Sequence, residues 1–502
     1  MTIGFTPSLS PTRFRVSRAE ATGPFVLGLD VGSGGSRAAV YDASGREVKG
    51  RRFKVEHMFT SATDGTSTID PDQVVAELLE CIEQSVDRMS APISAIGIDT
   101  FASTLIPVDG SGNALGPCIT YADTRSREQV VRLRESLDVA TLHDLTGARI
   151  AASYMTPRLV WLREEHADVF ARAERFMALG EYISLKLLGT AAIGTAAAAW
   201  GGMLNRRTGE YVPELIEAAG VDPGSLGKPH DPSDVVPVAG TPLAQLVPEV
   251  ASAVWVPVIG DGLGANIGSG AQGGSTWGIS TATSGAIRML LNTTIDALPS
   301  GLWAYRVDAQ RTLFGSAMSD CGRVLDFAQS TFRLPPYEEL DTDALFGADP
   351  STGTPLVVPF LSGERGTKWR DGVRALFAGV SAATTPEQWL RGSMEGLALS
   401  FLRIADQMKE AGGAAERIVL SGSMTNAVPG WLQLLADALD QPVEHIDIRR
   451  ATMRGTAVLA LEQVSDQPLA DIPVRARVEP VAGRAAYYRE RLARFEELAD
   501  HA

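Results

Sequence analysis

Apolar runs and polar breaks alternate along the chain in a pattern that repeats once. Phe25 to Asp30 is a nearly continuous apolar run and predicts a buried strand. Ser36 to Asp42 predicts a second strand, and the turn Ala43-Ser44-Gly45 leads to a third around Glu47 to Val55. Pro71 opens an amphipathic helix with Val74, Val75, Leu78, Leu79 and Ile82 on one face. Ala95 to Thr100 predicts a further strand with Asp99 near its end. The same order returns later. Strands are expected at Val254 to Ile259, Thr276 to Ser280 and Ala286 to Leu291, then a long helix from Pro386 to Lys409. The strand Arg417 to Leu420, a helix from Pro429 to Leu439, the strand Val443 to Ile448 and a helix near Thr456 to Leu461 follow. Tyr487 to Ala502 reads as a closing surface helix. Strand hairpin, helix, strand, helix, twice over, is a quasi-duplicated α/β unit. The Pro-, Gly- and Asp-rich stretch 222–242 is a loop passage towards a boundary near residue 260.

Length agrees with a two-domain reading, since 502 residues exceed what one core normally serves. A hydrophobic share of 45% and a charged share of 21% are ordinary for a soluble globular chain. A net charge of −15 argues against nucleic acid or an anionic membrane as the main partner, while leaving room for a locally positive pocket. Cys81, Cys118 and Cys321 are scattered and form neither a disulfide frame nor a zinc pattern. Residues 1–24 lack the apolar core of a signal peptide and read as a loose extension. No apolar run is long enough to span a bilayer, so the expected compartment is the cytoplasm. A homodimer is compatible with the sequence.

Chemistry concentrates at two corners where a strand meets glycine-rich backbone. The first is Asp30-Val31-Gly32-Ser33-Gly34-Gly35-Ser36-Arg37. The second is Gly260-Asp261-Gly262-Leu263-Gly264, with Thr281-Ala282-Thr283-Ser284-Gly285 close behind. Small residues expose amide donors for phosphate oxygens, and a carboxylate beside them suits Mg²⁺. Gly262, Gly264 and Gly268 do not keep the spacing of a dinucleotide-binding fingerprint, and no ribose-binding acid follows about 20 residues on.

These corners, in this order, resemble the FGGY carbohydrate kinases over residues from about Phe25 to Glu497. The likeness also rests on Tyr121-Ala122-Asp123-Thr124-Arg125, on Gly363-Glu364-Arg365, and on Ser421-Gly422-Ser423-Met424-Thr425-Asn426. It implies two ribonuclease-H/actin-like α/β domains with a catalytic cleft between them. Residues 25–260 would form the sugar and phosphate side and 261–502 the adenosine side. The implied reaction is transfer of phosphate from ATP, with Mg²⁺, to a carbohydrate hydroxyl. By resemblance, Asp261 is the general base and Asp30 meets the metal. Gly32, Ser33, Gly34 and Arg37 in one corner and Thr283, Ser284 and Gly285 in the other hold the phosphates. Gly322, Asp326, Gly422, Ser423 and Asn426 flank the adenosine.

Each of these residues also has an ordinary structural reading as a turn, a cap or, for Arg37, a solvated strand position. A Met-His pair common in the family is replaced here by Ala102 and Ser103, which with Tyr154 and Asp261 are the expected acceptor contacts. The family glycine at Ala282 is also missing. The segments at 121–126, 261–268 and 283–288 look most like the gluconokinase-like branch, so a gluconate-like acid is the favoured acceptor. A xylulose- or ribulose-type ketopentose or a polyol is the alternative. A non-catalytic actin-like ATP-binding module shares the fold but has no need of a base such as Asp261.

Overall fold

The computed structural model describes residues 14–332, 334–370 and 372–502. The first part of the expected N-terminal extension, residues 1–13, lies outside the described residues. Of its remainder, Arg15–Val16 forms a short strand parallel to Glu47–Val55, held by an Arg15–Glu47 ion pair of 2.8 Å.

Two sheets carry the molecule, and their central five strands have the same order. In the first, Glu47–Val55, Gly35–Tyr41, Phe25–Gly32, Ile93–Thr100 and Val254–Trp255 are neighbours in that order. The first three are antiparallel, and Ile93–Thr100 runs parallel to Phe25–Gly32. In the second, Thr312–Met318, Gly285–Leu291, Thr276–Thr281, Arg417–Ser421 and Val443–Ile446 repeat the arrangement, with Trp303–Arg306 and Val474–Val478 at the edges. The duplication legible in the apolar pattern is therefore a duplication of topology.

Local chemistry explains the main elements. The central strands are buried on both faces, so they read as unbroken apolar runs. The helix Pro71–Val86 starts where Asp70 accepts from the N–H groups of Asp72 and Gln73, and Pro71 occupies the first turn without losing a bond. The helix Pro386–Glu410 opens with a reciprocal Thr385–Gln388 capping box. Each sheet has its own apolar core: Leu27, Leu29, Val74 and Leu78 belong to one, and Trp277, Leu397, Phe401 and Trp431 to the other.

Two expected elements differ. The strand expected over Val254 to Ile259 is two short pieces, Val254–Trp255 and Ile259–Gly260, both parallel to Ile93–Thr100. Pro257 between them has no N–H to give the ladder. The helix expected near Thr456 begins earlier, at Ala451, and continues through Gly455. Gly455 is an approach point: a Cβ there would lie 1.9 Å from the Gly264 carbonyl oxygen, and one on Gly268 would lie 1.7 Å from that of Ala451. The helices Asp261–Gly268 and Ala451–Leu461 cross backbone to backbone. The latter also lies on the first sheet, where Gly97 leaves room for the Thr456 carbonyl, 2.1 Å from where its Cβ would be. The Gly264 and Gly268 spacing serves this crossing.

Candidate active site

Three neighbouring strands of the first sheet end on carboxylates. Asp30 pairs across its hairpin with Arg37, whose Nη1 donates to Asp30 Oδ2 at 2.8 Å. On its other side Asp30 is in register with Asp99. Ile259 is in register with Asp99 in turn, so the chain delivers Asp261 to the same edge two residues later. Asp99 is fully buried, and neither of its carboxylate oxygens has a hydrogen-bond partner among the described residues.

Burial, then the charges of Asp30 and Asp261, push the Asp99 carboxyl well above the usual carboxylate range. Burial also raises Asp30, against the pull of Arg37. Asp261 opens onto the cleft but is crowded by protein behind; this desolvation raises it, opposed by Arg288 and by the Gly262 N–H.

The first glycine corner sits beside this group. Ser33 and Gly34 are exposed at its tip. The Gly32 carbonyl accepts from His57 Nε2 at 2.8 Å, and His57 Nδ1 lies 2.6 Å from Glu77 Oε2. A Cβ on Gly32 would stand 3.0 Å from Arg37 Nη1, so glycine keeps the turn close to the Asp30–Arg37 pair.

The second corner is built from neutral groups. Thr281 pairs with Gly285, and the Ala282 N–H donates to the Ser284 carbonyl at 3.0 Å, leaving Thr283 and Ser284 exposed. Ala282 is not among the residues with left-handed backbone, so its methyl in place of glycine carries no backbone strain. The carbonyls of Ala282 and Thr283 accept from the N–H groups of Gly322 and Cys321, tying this turn to the helix Gly322–Thr331. Gly422 has φ +136°, and a Cβ there would meet the Thr281 carbonyl oxygen at 1.9 Å. The neighbouring strand alone therefore requires glycine at 422. The helix Ser423–Ala427 follows, and Cys321 Sγ stands 3.6 Å from Met424 Sδ, so the two short helix starts are adjacent. Asp326, Ser423 and Asn426 are exposed around them.

Between the two sheets lies a cavity of about 250 Å³. Ala102, Ser103, Tyr154 and Asp261 line it together with Ser284 and Gly285. The remaining expected phosphate, metal and adenosine residues lie outside its lining. Ser103 has left-handed backbone, φ +57°, and its hydroxyl donates to the Trp200 carbonyl at 2.9 Å. Its one proton is thus engaged by the protein. Trp200, Trp303 and Tyr305 form an aromatic wall, with Tyr305 4.7 Å from Trp200 and 4.8 Å from Trp303 between ring centroids. Tyr154 and Tyr305 hydroxyls, one from each half, lie 2.6 Å apart. Two arginines complete the lining. Arg288 Nη1 donates to Ser280 Oγ at 3.1 Å, and its buried Nε has no acceptor among the described residues. Arg365 is exposed and has no ion pair among the described residues.

Residues 25–268 match the N-terminal domain of the FGGY family of carbohydrate kinases, and residues 274–463 match its C-terminal domain. The chain belongs to the FGGY family. It is similar to the gluconokinase of Bacillus subtilis (strain 168), with 23% identity over 87% of each chain. It is also similar to the xylulose kinase of Streptomyces rubiginosus, with 28% identity over 96% of this chain and 95% of that one. The crystal structure of gluconate kinase from Lactobacillus acidophilus superposes with a TM-score of 0.86 at 21% identity, over 95% of this chain and 98% of that one. As an FGGY carbohydrate kinase the protein is an ATP-dependent phosphotransferase with an actin-like two-domain fold. No helix among the described residues is long and apolar enough to cross a membrane.

Several residues of this kinase site carried no sequence signal strong enough to assign them. Asp99 was visible only as a polar residue near the end of an apolar strand; register with Asp30 makes it part of the site. Arg288 and Arg365 stand inside recognisable segments but have no spacing that points into a cavity. Trp200, Trp303 and Tyr305 are far apart in sequence and meet only through the packing of the two halves.

Proposed function

We propose that this kinase phosphorylates a hydroxyl of an open-chain sugar acid, with a gluconate-like acceptor favoured. The observation that carries this reading is the pair of guanidiniums, Arg288 and Arg365, lining the cavity beside Asp261 with no carboxylate ion pair among the described residues. A bound carboxylate gives both a charge-assisted hydrogen-bond partner, whereas a neutral sugar leaves Arg288 only the charge of Asp261 and Arg365 only solvent. The aromatic wall suits the C–H face of a polyol chain. A xylulose- or ribulose-type ketopentose or a polyol is the second reading, supported by the similarity to xylulose kinases.

In this account Asp261 accepts the proton of the attacking hydroxyl, a role suited by a carboxyl that desolvation raises above its ordinary value and that is reachable from the cavity. Gly32, Ser33, Gly34 and Arg37 approach the ATP phosphates from one half, and Thr283, Ser284 and Gly285 from the other. Gly322, Asp326, Gly422, Ser423 and Asn426 flank the adenosine. No set of three metal-binding side chains is preassembled among the described residues; Asp30, beside the first glycine corner, is the residue that would meet Mg²⁺, with the phosphate oxygens supplying further ligands. When bound, that ion neutralises phosphate charge. Residues 25–260 and 261–502 would then be the two working domains, in a cytoplasmic protein.

Coupled ADP release with gluconate, xylulose, ribulose and glycerol tests the reading. Gluconate should give the highest kcat/KM. Arg365→Met should lower it about 10- to 100-fold for gluconate, the loss of a charged hydrogen bond, with little change for neutral acceptors. A wild-type preference for a ketopentose overturns the assignment.

A further inference from the structure

A second cavity, of about 330 Å³, lies at the seam between the halves and has no role in the reaction described above. The first half contributes Arg134, His143, Arg149 and Ile150, and the second contributes Ser300 and Trp369. His143 Nε2 donates to the Leu302 carbonyl at 2.8 Å, so this wall is fastened across the seam.

Arg149 is the feature that asks for a ligand. Its guanidinium makes no ion pair among the described residues, and its buried Nε has no acceptor. Arg134 shares the cavity and spends its Nε on the Ile150 carbonyl at 3.0 Å, without a carboxylate partner. The partly desolvated Arg149 and the exposed Arg134 thus face one space with no carboxylate ion pair among the described residues, and their mutual repulsion is relieved when an anion enters.

Trp369 also lines the acceptor cavity. Arg149 lies 5.5 Å from its ring centroid, and Arg365, which lines the acceptor side, lies 5.9 Å from it. Trp369 has φ +54° and Thr367 has φ +58°, left-handed backbone that a bulky residue keeps only when its surroundings enforce it.

We propose that the seam cavity is a binding site for a small organic oxyanion, a carboxylate or a phosphate monoester, distinct from the acceptor cavity. Arg149 and Arg134 hold the charged end, and Ile150 and Trp369 take the apolar body. Because its walls come from both halves, an occupant favours the arrangement in which they are together. Trp369 then passes its presence to the acceptor side.

The test is calorimetric titration of the full-length protein without ATP or acceptor, so it does not depend on which sugar is phosphorylated. Glycerol 3-phosphate, citrate and inorganic phosphate are the probes, the first two separating phosphate ester from carboxylate. At least one should bind saturably, about 10-fold or more weaker in Arg149→Met, largely retained in Arg149→Lys, and unchanged in Arg365→Met. No saturable binding of any probe overturns the proposal. So does binding that Arg365→Met removes while Arg149→Met leaves it intact, since that places the anion in the acceptor cavity.

Discussion

The two sheets share a strand order but differ at the strand ends that face the cleft. In the first, the paired positions on Phe25–Gly32 and Ile93–Thr100 are Asp30 and Asp99; in the second, those on Thr276–Thr281 and Arg417–Ser421 are Ser280 and Ser421. The first hairpin sets Arg37 against a carboxylate, and the second sets Arg288 against the Ser280 hydroxyl. Past the fourth strand, the first half turns at Ser103 with φ +57° and the second at Gly422 with φ +136°. One scaffold has thus been given two chemistries. The first concentrates negative charge that attracts protons and cations. The second offers hydroxyls and bare backbone amides, which suit phosphate oxygens and a flat base. The contrast makes each half's contribution separable by mutation.

The largest effect should come from the acidic edge of the first sheet, to which the strand Ile259–Gly260 delivers Asp261. Asp261→Asn keeps the side chain's size but cannot take a proton, and kcat should fall about 10²- to 10⁴-fold with ADP affinity preserved. Near-normal turnover would remove the base from this edge altogether. The matching change in the neutral half is Gly422→Ala. Its new Cβ would stand 1.9 Å from the Thr281 carbonyl oxygen, so the backbone must move. KM for ATP should rise on the order of 10-fold while KM for the acceptor changes little. Equal effects on both substrates would break the division of labour.

A third variant reads the cost of the acidic cluster itself. The Asp99 carboxyl is raised in the folded protein, so its contribution to stability is complete at acid pH and is lost as pH rises through its folded value. Asp99→Asn does not titrate. Its thermal midpoint should exceed the wild type's at pH 8, and the two should converge towards pH 4. A midpoint below wild type at pH 8 would mean that the charged form is stabilised by something other than these neighbours. The smallest effect is expected at Ser103. Its hydroxyl proton is engaged by the Trp200 carbonyl, so Ser103→Ala should act through the aromatic wall, lowering kcat/KM for the acceptor about 5-fold.

Much of this architecture was legible in the chain because its signals are local. Buried central strands announce themselves as apolar runs, Asp30 and Asp261 as acids beside glycines, and Thr283 to Gly285 as a small-residue turn. What stayed hidden depends on register or on contacts between distant segments. Asp99 gains meaning only from its place between Asp30 and Ile259 across the ladder. The helix expected near Thr456 begins at Ala451 and runs through Gly455, where two helices touch. Gly422 is expected to flank the adenosine, but the adjacent strand alone already demands glycine there. Pro257 divided an expected strand for want of one N–H.

The central claim is that Asp261, raised chiefly by desolvation with a smaller push from Asp30, and restrained by Arg288, takes the acceptor's proton. The pH dependence of kcat/KM for wild type, Arg288→Met and Asp261→Asn tests it most directly. Wild type should lose activity on an acidic limb whose apparent pKa lies above the usual carboxylate range. Removing the Arg288 charge withdraws what holds the carboxylate ionised, so the limb should move to higher pH in Arg288→Met and vanish from the residual activity of Asp261→Asn. A wild-type limb that survives in Asp261→Asn, or one that moves to lower pH in Arg288→Met, would contradict the account.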